Sequence, residues 1–120
     1  MAEDNKENYC FITKDYSGLR VVFTKKQYEL KAKLRPELRE KGILDRVKET
    51  TESPDFVYED YEKKNRFAYY SREYRINSRT RYMKVILSKG KNCLFTITAF
   101  RPDYVKERNK TKLLYGNDNE

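Results

Sequence analysis

Apolar residues fall in short runs along this chain, and their spacing separates strand-like from helix-like segments. YCFIT (9–13) and LRVVF (19–23) predict two short strands around the turn Asp-Tyr-Ser-Gly. Thr24-Lys-Lys-Gln27 has the spacing of a capping box, so a helix should start there and carry Tyr28, Leu30 and Leu34. Pro36 should end it, because the residue before a proline avoids helical angles. Pro36 can then open a short segment reaching Lys41. Gly42 breaks the chain again, and Ile43, Leu44, Val47 and Thr51 fit one face of a helix over 43–52.

After the turn Ser-Pro-Asp (53–55), the runs FVYED, RFAYYSRE, RYMKVILS and NCLFTITAF read as four strands. Lys63-Lys64-Asn65 and Lys89-Gly90-Lys91 supply hairpin turns, and Ile76 to Thr80 reads as a longer polar loop. KLLY is a candidate for a last strand or clasp within a chain expected to fray from Asn109 onward. The expected fold class is α+β, with N-terminal helices on one face of a four- to five-stranded antiparallel meander. Alternation puts Met83, Val85 and Leu87 on the core face with Cys93, Phe95, Ile97 and Ala99. It puts Tyr82, Lys84, Thr96 and Thr98 on an opposite, open and polar face. Tyr69 and Tyr70 should divide, one packing in the core and one exposed. The expected organisation is a disordered leader over 1–8, one domain over 9–115 and a disordered tail over 116–120.

Composition narrows the chemistry. The chain of 120 residues has room for one core, and 11 Tyr and 6 Phe must fill much of it. No apolar run approaches the roughly 20 residues needed to cross a bilayer. The acidic start MAEDNKENYC has no signal-peptide character, so a cytoplasmic protein without membrane contact is expected. Cys10 and Cys93 are too few and too far apart for a disulfide framework or a Cys-rich metal site. Histidine is absent, which removes the commonest general base and metal ligand. No phosphate-cradling glycine loop or ligand cluster stands out, so neither cofactor nor metal is expected.

Charge distribution says more than the net +8. Residues 63–91 hold ten basic side chains against one acid, Glu73, and so carry +9, while 45–62 carry −5. Tyr61, Tyr69, Tyr70, Tyr74 and Tyr82 border or interleave the basic stretch. Cations that meet phosphates beside rings that stack bases are the footprint of RNA binding. A solvated sheet edge guarded by Lys and Arg is the plainer alternative.

The order LRPELREKGILDRVKETTESPDFVYED, FAYYSREY, RYMKVIL, TITAFRPD resembles the phage-associated members of the barnase–EndoU–colicin–RelE superfamily, which are small ribonuclease domains. The resemblance covers about residues 24–104. It implies a metal-independent, toxin-like or phage-associated endoribonuclease that cleaves tRNA or single-stranded RNA through the 2′-hydroxyl. It also implies an acidic antitoxin or immunity protein as partner. Such domains often have a His before the Pro-Glu-Leu, where this chain has Arg35. That leaves a histidine-free mechanism or an inactive domain.

Without histidine, Lys84 is the first candidate base, with a phosphate-binding role as its alternative. Arg72 suits the phosphate, Thr98 can hydrogen-bond it, and Arg35 and Glu37 approach from the helical side, Glu37 as a second possible base. Arg66, Arg81 and Arg101 are candidate backbone contacts, and Tyr70 and Tyr82 candidate stacking rings, with Tyr70 also a possible proton donor. A non-catalytic RNA-binding or partner-binding module on the same scaffold is the alternative function.

Overall fold

The computed structural model describes residues 8–118. Its strands are β1 (Tyr9–Lys14), β2 (Arg20–Thr24), β3 (Phe56–Glu59), β4 (Arg66–Ile76), β5 (Arg79–Lys89), β6 (Leu94–Phe100) and β7 (Leu113–Gly116). Between β2 and β3 come α1 (Lys25–Ala32), a 3₁₀ turn (Pro36–Arg39) and α2 (Ile43–Glu52). All the strands join one sheet in the order β1-β2-β6-β5-β4-β3-β7. The expected leader over 1–8 lies outside the described residues apart from Asn8.

The expected four- to five-stranded antiparallel meander is therefore corrected to a seven-stranded mixed sheet with two short α-helices. β2 runs parallel to β6, with Val21 opposite Leu94 and Val22 opposite Phe95, and so brings the N-terminal hairpin into the sheet. β7 extends the other edge by pairing with β3.

Local signals explain the helices. Thr24 caps α1 by accepting a hydrogen bond from the Gln27 backbone N–H at 3.1 Å. Gly42, at φ +79°, takes the left-handed turn that admits α2, whose Ile43, Val47 and Thr51 are buried. The helix carries Tyr28 and Leu30 as expected but ends at Ala32, before Leu34, and Leu30 and Leu34 are 54% and 70% exposed. The Ile76–Thr80 loop is a tight turn, with Asn77 and Ser78 both at positive φ, and it prolongs β4 and β5 into one long hairpin.

One core lies between the sheet and the helices, built from Val21, Phe23, Leu38, Val47, Val57, Tyr69, Met83, Val85 and Leu87 with their neighbours. The expected alternation fails in β6. Its register with β5 shifts between Ile86 and Leu87, so that Thr98 faces Ile86 while Thr96 faces Leu87. The bulge flips the strand: Leu94 joins the core, and Phe95 is 41% exposed.

The opposite face is not open. Segment 101–112 lies across it, and Phe56, Tyr58, Ala68, Tyr70, Tyr82 and Val105 form a second buried cluster there. Phe56 stacks on Tyr70 at 5.1 Å, with Tyr82 edge-on to Tyr70. Tyr69 and Tyr70 are accordingly both buried, on opposite faces, instead of one buried and one exposed.

The C-terminal residues clasp this second layer. Asp118 accepts hydrogen bonds from Arg108 Nε at 2.8 Å and Tyr58 Oη at 2.6 Å. Burial pushes the Tyr58 phenol up to about 12, and the Asp118 hydrogen bond adds to the shift. Burial works against the Asp118 carboxylate, but hydrogen bonds from Arg108 and Tyr58 outweigh it and hold its pKa below 3.8. A depressed carboxylate contributes stability that is fully present above its unfolded value and lost as pH falls through the folded one. Acid titration of stability should therefore show a loss below about pH 4 that Asp118→Asn diminishes. Identical acid limbs for the two proteins would remove this role.

Candidate functional site

The ladder between β4 and β5 sets Arg72 opposite Tyr82 and Tyr74 opposite Arg81, leaving Glu73 as an extra residue. Bulges of this kind bend their strand and re-aim its side chains. Here Glu73 and Tyr74 both come to line a cleft of about 570 Å³ on the helix side, with Glu40, Arg46 and Arg101. α2 supplies Arg46, and Arg101 follows directly on β6.

Glu73 is the hub of this cleft. Its Oε2 accepts from Arg46 Nε at 2.5 Å and its Oε1 from Arg101 Nε at 2.6 Å. Arg46 also donates to Glu49 at 2.8 Å, and Arg101 to Glu40 at 2.7 Å. The Glu73 side chain is 8% exposed, while those of Arg46 and Arg101 are about a quarter exposed. Burial opposes charge on Arg101, but the hydrogen bonds to Glu73 and Glu40 outweigh it and raise its pKa. Each guanidinium has further N–H donors on its second terminal nitrogen, oriented by the contacts already made. The cleft thus combines a shielded carboxylate with two fixed cations at one open surface.

A second polar cluster sits under segment 101–112. Lys84 Nζ meets Glu107 Oε2 at 2.9 Å, and Tyr70 Oη donates to Glu107 Oε1 at 2.5 Å. The Lys84 and Glu107 side chains are 5% and 0% exposed. Burial, and after it the Glu107 hydrogen bond, raises the Tyr70 phenol far above its ordinary value, so it stays protonated. The Lys84 ammonium also lies over the Tyr70 ring at 5.4 Å and the Phe100 ring at 5.5 Å. Arg35 covers Phe100 too, at 4.1 Å.

The residues singled out in the sequence are thus divided. Arg101 lies in the cleft, and Arg81 is the ladder partner of Tyr74 beside it. Lys84, Tyr70 and Tyr82 belong to the roofed layer, so the expected open face around Lys84 is in fact enclosed. Thr98 is also buried, and its hydroxyl finds no hydrogen-bond partner. Arg72 stacks over Phe56 at 5.0 Å and donates to the Asn117 carbonyl at 2.7 Å. Glu37 is half-buried in the 3₁₀ turn and does not line the cleft. Arg66 borders a separate hollow with Lys63, Lys64 and Lys89.

Sequence reasoning missed Glu73 and Arg46 as site residues, and valued Tyr74 only as one ring among several. The available signal was that Glu73 is the lone acid among ten basic residues.

Among the described residues no group of three or more Asp, Glu, His or Cys side chains is placed to hold a metal ion. No helix among them is long and apolar enough to cross a membrane. No family model matches the chain, and neither curated proteins nor solved structures provide a significant match.

Proposed function

We propose that this protein is a metal-independent endoribonuclease whose site is the cleft of Arg46, Glu73 and Arg101. The observation that carries the proposal is the carboxylate of Glu73, raised into the cleft by a bulge and flanked at 2.5 and 2.6 Å by two guanidinium groups. RNA cleavage by transesterification needs a base for the 2′-hydroxyl and fixed positive charge for the phosphorane. Glu73 takes the 2′-proton, and the 2′-oxygen attacks phosphorus. The bond to the 5′-oxygen breaks, and that oxygen takes a proton from a cleft water, which in turn recovers one from Glu73. Arg46 and Arg101 hold the non-bridging oxygens with the donors that Glu73 leaves free. The +9 charge of residues 63–91 and the resemblance of the sequence to small ribonuclease domains favour the same assignment. An acidic inhibitor protein, also implied by that resemblance, would compete with RNA for these arginines.

Purified protein should break single-stranded RNA or tRNA in EDTA, leaving 2′,3′-cyclic phosphate ends. Arg101→Ala should lower the rate about 10²–10³-fold, the scale for removing one charge-stabilising donor. Intact RNA under all such conditions would refute the nuclease.

A non-catalytic RNA-binding module is the second reading. Both Glu73 oxygens already accept from arginines, which favours a structural carboxylate over a base. It predicts a gel shift without products, with affinity falling linearly against salt on logarithmic axes.

A further inference from the structure

We propose that Tyr74 is a nucleobase-stacking subsite that confines the cleft to unpaired RNA. The inference rests on the RNA-directed function proposed above and names its substrate class. Tyr69, Tyr70 and Tyr82, the other tyrosines of β4 and β5, are all buried in the two packed layers. Tyr74 alone among these four is half exposed, at 49%, while lining the cleft beside Glu73. Its ring makes no contact with another ring among the described residues.

The bulge explains the placement. Because Glu73 is the extra residue, the next side chain is turned to the cleft with it instead of alternating away. A phosphate held by Arg46 and Arg101 would then lie one residue from a free aromatic face. The spacing suits a nucleotide, whose base hangs from the sugar next to its phosphate. Beyond Tyr74 the hairpin arm carries Arg75 and Arg79 on either side of the Asn77–Ser78 turn, and Arg81 pairs with Tyr74 across the ladder. These cations meet the flanking backbone in a sequence-independent way.

Stacking on a side chain requires a base splayed out of its own helix. Bases in an A-form duplex are stacked on each other and lie in grooves that give a side chain no ring face. Unpaired loops, ends and single strands present that face.

The test uses Glu73→Gln, which leaves Tyr74 and both arginines in place while blocking turnover. Its binding to a short single-stranded RNA carrying 2-aminopurine, and to the same RNA fully paired, is followed by fluorescence and anisotropy. The single strand should bind with quenching, and the duplex should bind more weakly without it. Adding Tyr74→Leu should weaken single-strand binding by about 5- to 150-fold and abolish quenching, whereas Tyr74→Phe should preserve both. The exposed position makes both Tyr74 substitutions compatible with folding, glutamine keeps the size of the Glu73 side chain, and circular dichroism checks all three. Equal affinity for single strand and duplex, or unchanged binding by the leucine variant, would overturn the subsite. Cleavage of RNA by a Tyr74→Leu protein with undiminished single-strand preference leaves the nuclease standing and removes the subsite. Tyr74-dependent quenching by a wild-type protein that never cleaves does the reverse.

Discussion

Glu107→Leu is expected to destabilise the protein by about 3–5 kcal/mol, because it strands the Lys84 ammonium in a layer closed to water. That is a large share of the 5–15 kcal/mol typical of a domain. Lys84→Met should cost a similar amount by leaving Glu107 charged and buried without its cation. The double variant should be considerably more stable than either single one, since neither charge is left uncompensated. It should still fall short of wild type, because the Tyr70 hydroxyl loses its acceptor at about 1–3 kcal/mol. Adding Tyr70→Phe should recover part of that deficit. Urea titrations with a common slope measure all four variants against wild type. Additive losses in the double variant would show that the two charges do not depend on each other. The same series separates structure from chemistry for Lys84: a catalytic lysine lowers turnover without moving the midpoint, whereas this one should move the midpoint.

Glu73→Gln should leave the fold close to wild type and lower cleavage by about 10²–10⁴-fold, the usual range for a general base. Glutamine keeps the size of the side chain and one acceptor oxygen, so at least one arginine retains a neighbour in the cleft. What it lacks is the ability to take a proton. Removal of the negative charge also relieves Arg46 and Arg101 of their shared counterion, so RNA binding should tighten as turnover falls. Slower chemistry with stronger binding is the signature of a base that also neutralises the phosphate site. Single-turnover rates and anisotropy read the two effects independently. Full activity in this variant would move the base elsewhere, and loss of binding together with rate would mean that the cleft had collapsed.

Much of the fold was legible wherever a local signal acts alone. The span of α2 follows from Gly42, an apolar face of helical period and the Ser53-Pro54 stop, and it holds to the residue. The cap at Thr24 holds for the same reason. Long-range pairing was not legible. Nothing in LRVVF announces Leu94 and Phe95 as neighbours, so two strands that were foreseen one by one were not foreseen in the sheet. Period-two alternation fails wherever one strand carries an extra residue. The bulge in β6 turned Phe95 outward and set Thr96 opposite Leu87, and the one at Glu73 brought that carboxylate and Tyr74 to one cleft. Segment 101–112 was opaque for a different reason. A glutamate between Lys106 and Arg108 looks solvated until Lys84 and Tyr70 are known to lie beneath it. Arg101, at the end of a well-marked strand, was singled out and lines the cleft, whereas Arg46 looked like one charge on the outer face of a helix.

The parallel contact between β2 and β6 also bears on how the chain comes into being. Leaving the ribosome from its N-terminus, it presents Val21, Val22 and Phe23 long before Leu94 and Phe95 exist to flank them. A lone two-stranded hairpin is marginal in water. At about 5–20 residues per second the unpaired strand therefore waits for several seconds, exposed to chaperones or aggregation. Arg46, Glu73 and Arg101 are separated by more than twenty residues each, so no fragment that stops before Arg101 contains the assembled cleft. The cleft can assemble only after Arg101 has left the ribosome.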